Sequence, residues 1–148
     1  MNIAPCGFRC DRCLAFVANA KTHAERVRGS AAWAKYYHLQ VSPQRMRCHG
    51  CAGGHVAGLD FPDRKCEIRP CVLDRGLETC AGCGEYPCDA LESRMRSCDG
   101  VVERCRGKIP ADEFDRFVAP YDCRATLDEL RKKKSAGSGE GRAKAVDR

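Results

Sequence analysis

The sequence has no long hydrophobic run, and we therefore expect no membrane-spanning helix. No stretch approaches the roughly 18 consecutive apolar residues that a bilayer crossing requires. The N-terminal residues Met1 to Cys6 also lack the basic region followed by an apolar segment that marks an export signal, so we expect a cytoplasmic protein. The chain contains neither a phosphate-binding loop nor a readable catalytic triad, and its four histidines form no partner set for a cysteine nucleophile. These absences favour a protein that is not an enzyme.

Cysteine, in contrast, is abundant: the 148 residues include 13. The count is odd, and three pairs have the spacing C-x2-C, namely Cys10/Cys13, Cys48/Cys51 and Cys80/Cys83. This spacing directs two thiolates at one ion. In a reducing compartment such cysteines are metal ligands more often than disulfide partners. The sequence therefore predicts a small metal-stabilised domain.

Ten of the cysteines form blocks with the spacing of metal-binding knuckles. The predicted metal ligands are Cys6, Cys10, Cys13, Cys48, Cys51, Cys66, Cys71, Cys80, Cys83 and Cys88. The remaining three, Cys98, Cys105 and Cys123, lie outside any knuckle spacing, and we interpret them as small buried hydrophobic residues. No catalytic residue is predicted.

Soft thiolate ligands select zinc or iron–sulfur clusters, and both remain open. The simplest local set is Cys48, Cys51, Cys66 and Cys71, two short-spaced pairs that resemble a four-thiolate zinc site. The other six cysteines come as two triplets. They suit one four-thiolate zinc site with two spare thiols, a two-zinc six-thiolate cluster, or a cubane cluster on four thiols. We favour zinc, with one to three ions, because structural zinc is the commoner use of repeated C-x2-C knuckles.

Short amphipathic segments separate the cysteine blocks and predict a mainly α fold with irregular loops and little or no β-sheet. Helices are expected from Asp11 to about Ala20, from a capping box at Thr22–Glu25 to about His38, from Glu67 to Arg75, and from Cys88 to about Arg96. Two more are expected after Pro110 and Pro120. A helical first turn at Cys13 would lower the pKa of its thiol. Residues 52–64 are expected to form a glycine-rich loop.

The formal net charge of +6 is concentrated at the C-terminal end. Residues 131–148 contain seven basic and two acidic side chains, which leaves residues 1–130 at +1. We therefore expect one domain over residues 1–130, with a helical extension at 96–130, followed by a basic disordered tail at 131–148. The basic run Arg131–Lys134 permits nucleic-acid binding, although basic tails are often merely solvated.

The cysteine blocks in this order resemble a known prokaryotic cysteine-rich family, catalogued as domain of unknown function 3795. The resemblance extends over about residues 5–95 and rests on the ten knuckle cysteines together with Gly7 and Tyr86-Pro87. It implies metal binding and no established reaction.

From the sequence we expect a zinc-binding module with a structural or protein-interaction role. The alternatives are an iron–sulfur protein in redox chemistry or electron transfer, and a zinc-knuckle protein that binds nucleic acid.

Overall fold

The computed structural model describes residues 1–51 and 63–137, and the regular structure in these ranges is helical. The α-helices are α1 (His23–Tyr37), α2 (Ile68–Asp74), α3 (Asp89–Glu92), α4 (Asp99–Arg104), α5 (Ala111–Glu113) and α6 (Cys123–Gly137). Short 3-10 turns lie at Cys10–Arg12, Pro43–Arg45, Cys80–Gly82 and Ala119–Tyr121, and a π turn at Phe114–Val118. Within the described ranges, β pairing is limited to the isolated bridges Ile3–Arg9 and Phe16–Cys48. The predicted mainly α fold without a sheet is confirmed, whereas its stabilisation by metal stays a prediction.

Helix α1 begins at the predicted capping box. The Thr22 hydroxyl accepts the Glu25 N–H at 3.2 Å, and the Glu25 carboxylate accepts the Thr22 N–H at 2.8 Å. The helix continues without a break through Gly29. An added Cβ at Gly29 would lie 2.9 Å from Met46 Cε, so the small residue lets the chain around Met46 pack against the helix.

The helices pack around three groups of buried side chains. The first is Ile68, Val72, Cys80, Ala81, Leu91 and Leu127, where α2, α3 and α6 meet the turn at Cys80–Gly82. The second is Ala32, Tyr36, Val101, Phe117 and Val118, between α1, α4 and the π turn. The third is Ala15, Trp33 and Met46. Each group is small, so the hydrophobic core is divided among several parts of the chain.

The predicted helix from Asp11 to Ala20 is wrong, because backbone groups in this segment hydrogen-bond to distant residues. The Cys48 N–H donates to Ala15 O at 2.7 Å, and the Val17 N–H donates to Cys48 O at 2.9 Å. Asp11, where the helix was expected to begin, instead pairs with the Arg9 guanidinium at 2.8 Å. Long-range pairing therefore replaces the helix that local spacing suggested.

Of the helix predicted from Cys88 to Arg96, only Asp89–Glu92 is helical. The residues that follow Glu92 form hydrogen bonds with other parts of the chain instead. The Arg96 N–H donates to Cys123 Sγ at 2.7 Å, and Cys123 Sγ donates to Arg96 O at 3.1 Å. Helix α4 was not predicted. At the start of α4, an N–H group without a partner inside the helix bonds to a distant residue: the Cys98 N–H donates to the Asp122 carboxylate at 3.1 Å.

The three cysteines outside the knuckles are not equally buried. Cys123 is fully buried, as predicted. Cys98 and Cys105 are half-buried at the edge of the group that contains Val101, so the prediction of burial is wrong for these two. They flank α4, and its short length leaves both ends partly open to solvent.

The C-terminal helix α6 extends beyond the predicted boundary at residue 131. It continues to Gly137, so residues 131–137 are helical and are not part of a disordered tail. Leu127 is fully buried and Leu130 packs beside it, which anchors the helix to the first core group. The predicted tail beyond 137 lies outside the described residues, as does most of the predicted loop at 52–64. None of the helices in the described ranges is long and apolar enough to cross a membrane.

Gly7 holds the N-terminal turn against α6, and this packing should not tolerate a side chain. Its φ is +98°, and an added Cβ would lie 2.6 Å from Cys123 O and 2.7 Å from Leu127 Cγ. We expect Gly7→Ala to lower the free energy of unfolding by about 1–3 kcal/mol, through overpacking and backbone strain. Urea unfolding followed by circular dichroism measures the change.

Gly100→Ala is the matched control. Gly100 is exposed in α4, and its added Cβ would come no closer than 3.6 Å to another residue, at Arg104 Nη1. This variant should be neutral or slightly stabilised, because alanine favours helix. Equal stability of the two variants would contradict the packing that we describe for Gly7.

Candidate metal centres

The ten knuckle cysteines line two separate cavities. The first cavity, of about 770 Å³, is lined by Cys6, Cys10, Cys13, Cys48, Cys51 and Cys66. The second, of about 360 Å³, is lined by Cys71, Cys80, Cys83 and Cys88. We call these sets the six-thiol group and the four-thiol group. The structure thus separates Cys66 from Cys71, which the sequence analysis had assigned to one site.

The separation of Cys66 from Cys71 follows from helix α2. Cys71 lies inside this helix, whereas Cys66 precedes it. The helix buries Ile68 and Val72 in the first core group, and this fixes which side Cys71 faces. Cys66 and Cys71 therefore line different cavities, because a helix begins between them.

In the six-thiol group, backbone hydrogen bonds hold two C-x2-C knuckles side by side. The first knuckle is a 3-10 turn in which the Cys13 N–H donates to Cys10 O at 3.2 Å. The second is attached to it by the hydrogen bonds of Cys48 with Ala15 and Val17 already described. Two cysteine pairs that are distant in sequence therefore face one cavity.

Burial raises the pKa of several thiols in the six-thiol group, and the neighbouring thiols add to the effect. Burial, followed by the charge of Cys51, raises the pKa of Cys10 to about 12. Burial also raises the pKa of Cys6 to about 12 and that of Cys51 to about 11, and the charge of Cys66 contributes to both shifts. At neutral pH these thiols are protonated in the absence of a cation.

The expected low pKa of Cys13 is wrong. No α-helix begins at this residue, and burial raises the pKa of its thiol. The Tyr121 hydroxyl, whose oxygen lies 3.4 Å from Cys13 Sγ, opposes the rise only in part. The desolvation of the thiol therefore outweighs its hydrogen bonds.

Tyr121 forms the aromatic wall of the first cavity and was not identified from the sequence. Its hydroxyl accepts the Trp33 indole N–H at 2.9 Å and the Leu14 N–H at 3.1 Å, in addition to its contact with Cys13. Its ring packs edge-to-face against Trp33 and Tyr37. Trp33 and Tyr37 of α1 line the same cavity. The partner that fixes them comes from a distant 3-10 turn.

The four-thiol group is built from α2, the turn at Cys80–Gly82 and the start of α3. The Cys83 N–H donates to Cys80 O at 3.0 Å, which closes the knuckle, and Cys88 is the N-cap residue of α3. Arg75, directly after α2, has its Nη1 3.5 Å from Cys83 Sγ and also pairs with Glu85 at 2.9 Å. A guanidinium therefore already contacts one of the four thiols.

Arg131 of α6 holds this knuckle in place, although the sequence analysis assigned it to a solvated tail. Its Nη1 donates to Ala81 O and to Cys83 O, both at 3.1 Å. Its guanidinium lies over the Tyr86 ring, 4.6 Å from the centroid, and the Tyr86 hydroxyl donates to Asp128 at 2.7 Å. The periodicity of α6 could have revealed this role, because Leu127 and Arg131 share one helix face.

Two further arginines lie beside the six-thiol group. Arg69 lines the first cavity near Cys51, and its Nε is buried with no hydrogen-bond partner among residues 1–51 and 63–137. Arg94 is held by Asp63 at 2.7 Å and by Lys65 O at 3.0 Å. The charges of Cys66 and Cys6 contribute to the raised pKa of Arg94, after its hydrogen bond to Asp63. Both cations are therefore positioned to stabilise thiolates.

The type and number of donors fit thiophilic metal ions, since each cavity presents at least four thiols and nearby guanidinium groups. The thiols surround the cavities and do not converge: across residues 1–51 and 63–137, no three His, Cys, Asp or Glu side chains are already arranged to hold an ion. Metal binding would therefore require the thiols of a group to move closer together.

Comparison with known proteins gives one match. The family model described as "Protein of unknown function (DUF3795)" matches residues 2–93, which include all ten knuckle cysteines. Searches of the curated proteins and of the solved structures give no match.

Removing the Arg131 side chain should destabilise the protein. Arg131→Ala loses two hydrogen bonds from a charged donor and the contact with Tyr86, and we expect a cost of about 1.5–3 kcal/mol. Lys132→Ala is the control, because Lys132 is exposed and its loss should change stability by less than about 0.5 kcal/mol. Chemical denaturation of the purified proteins measures both values. If the two variants are equally stable, α6 does not hold the knuckle.

Proposed function

The chain belongs to the DUF3795 family, and we propose that it is a zinc-binding module in which metal ions connect short helices into a rigid scaffold. We further propose that it acts in the reducing cytoplasm by contacting a protein partner. All 13 cysteines are free thiols, which is consistent with that compartment. On this proposal, the role of the metal is structural, and the thiolates are ligands that take no part in catalysis.

The observation that carries the proposal is the four-thiol group. A closed structural zinc site needs four ligands, and four cysteines around one cavity would supply them. They are Cys71, Cys80, Cys83 and Cys88. A zinc ion with four thiolates has a net charge of −2. Arg75 and Arg131, which contact the side chain and the backbone of Cys83, supply two positive charges beside it. The surroundings therefore suit the charged, metal-bound form of these thiols.

The small size of the core gives independent support. Helices α3 and α5 have four and three residues, and such short helices are not stable by themselves. The buried apolar residues form three small groups, and small domains of this kind usually need a metal or disulfides in addition to the core. Zinc bound to thiolates would supply the missing stabilisation, because its binding energy then becomes folding energy.

An iron–sulfur cluster is the alternative for the first cavity. Cys6, Cys10 and Cys13 line it together, and Cys66 is available as a fourth thiolate. Such a cluster would make the protein a redox or electron-transfer component. Iron, sulfide and a brown colour in anaerobically purified protein would support this alternative, whereas a colourless protein with zinc would exclude it.

We propose a protein partner in preference to nucleic acid because part of the basic run is engaged within the domain. Arg131 is bound to the knuckle backbone, and Lys133 pairs with Glu129 at 2.6 Å. Fewer charges are therefore available to bind phosphates than the sequence suggested.

Metal removal tests the proposed function. We expect anaerobically purified protein to contain at least two zinc ions per chain, because two groups of four or more thiols are present. A strong chelator should abolish the helical circular dichroism signal, and added zinc should restore it. Cys80→Ser should lower both zinc content and stability, whereas Cys105→Ser, which changes a thiol outside both groups, should preserve the zinc content. A helical circular dichroism signal that is unchanged after complete metal removal would contradict the proposal.

Zinc affinity should rise with pH. The pKa values of Cys10, Cys13, Cys48 and Cys51 are all raised, chiefly by burial, so an ion that binds these thiols must displace their protons. The zinc affinity should continue to rise above about pH 9, because the thiols of raised pKa are still protonated there. If the thiols had their ordinary pKa, near 8.5, they would already be ionised at that pH and the affinity would level off. Competition with a chromophoric chelator between pH 6.5 and 9.5 measures this. An affinity that is independent of pH would show that thiol protons are not displaced.

A further inference from the structure

The six-thiol group has two more cysteines than a single four-coordinate zinc ion can use. The two C-x2-C knuckles, Cys10/Cys13 and Cys48/Cys51, would fill one tetrahedral site by themselves. Cys6 and Cys66 would then be left over, yet both line the same cavity as the knuckles. That cavity has about twice the volume of the one beside the four-thiol group. Its number of thiols exceeds what one ion requires.

We propose that the six-thiol group holds two zinc ions that share thiolate ligands, so that the chain binds three zinc ions in all. This inference rests on the proposed function. Two tetrahedral ions need eight sulfur contacts, so two of the six thiolates must each bridge both ions.

The backbone hydrogen bonds of Cys48 with Ala15 and Val17 bring the two knuckles to one cavity, which Cys6 and Cys66 also line. Thiols of the knuckle pairs and of the leftover pair therefore face the same space, as ligands shared between two ions must.

The positions of the arginines also favour two ions. Two zinc ions with six thiolates have a net charge of −2. Arg69 lines the same cavity, and a thiolate there would be an acceptor for its Nε, which has no hydrogen-bond partner in the part of the chain that the structure describes. Arg94 is fixed by Asp63 beside Cys6 and Cys66, the two thiols that a single-ion centre would leave neutral. A fixed guanidinium at that place is useful only if those thiols ionise.

Cadmium substitution tests the shared thiolates directly. We expect zinc-loaded protein to contain three ions per chain by native mass spectrometry. Protein loaded with 113Cd should give three 113Cd resonances, two of which are coupled to each other through a common sulfur. The third resonance, from the four-thiol group, should show no such coupling.

Variants assign the coupled pair. The double variant Cys6→Ser with Cys66→Ser should bind two ions per chain without coupling, because the four remaining thiols of the first cavity then hold a single ion. Cys105→Ser is the matched control and should keep three ions and the coupling. If the variants do not fold, the stoichiometry and coupling of the unaltered protein still decide the question.

The outcomes separate this inference from the proposed function. Two zinc ions per chain with uncoupled 113Cd resonances would overturn the shared-thiolate centre and leave the zinc module intact. Iron and sulfide in the first cavity would also overturn it. A protein that folds fully without any metal would overturn both.

Discussion

The cost of ionising buried thiols governs this structure. Ten cysteines are concentrated around two cavities. Burial raises the pKa of the Cys6 and Cys10 thiols to about 12. Without a cation such thiols stay neutral. With zinc they would become ligands, and the energy of the metal–sulfur bonds would hold together helices that have little core of their own. The arginines beside them then serve to balance the charge that remains.

Helix α2 connects the two cavities. It contributes Cys71 to the second cavity, its Arg69 lines the first, and Arg75 follows directly and contacts Cys83. The two groups are also joined where the Cys80 N–H donates to Pro5 O at 2.9 Å, next to the N-terminal knuckle. An ion bound in one cavity would therefore order residues that belong to the other, and the proposed metal sites would then stabilise the domain as one unit.

The sequence predicted what depends on local patterns and missed what depends on distant contacts. The capping box at Thr22 and the end of α2 before Gly76 follow from neighbouring residues, and both were predicted. The segment after Cys13 is amphipathic enough for a helix, but its backbone pairs with Cys48 instead. The thiol chemistry could be inferred from spacing, whereas the grouping could not. The helix that begins between Cys66 and Cys71 was predicted, but nothing in the spacing shows that it places Cys71 at a different cavity from Cys66. Likewise, nothing in the basic run shows that Arg131 binds the knuckle.

X-ray absorption at the zinc edge, on protein purified without added metal, tests the central claim most directly. If the knuckle cysteines are the ligands, every zinc ion has only sulfur neighbours, and the spectrum should fit four sulfur atoms at about 2.3 Å. A first shell that contains nitrogen or oxygen, or a protein without bound zinc, would contradict the claim that these thiolates hold structural zinc.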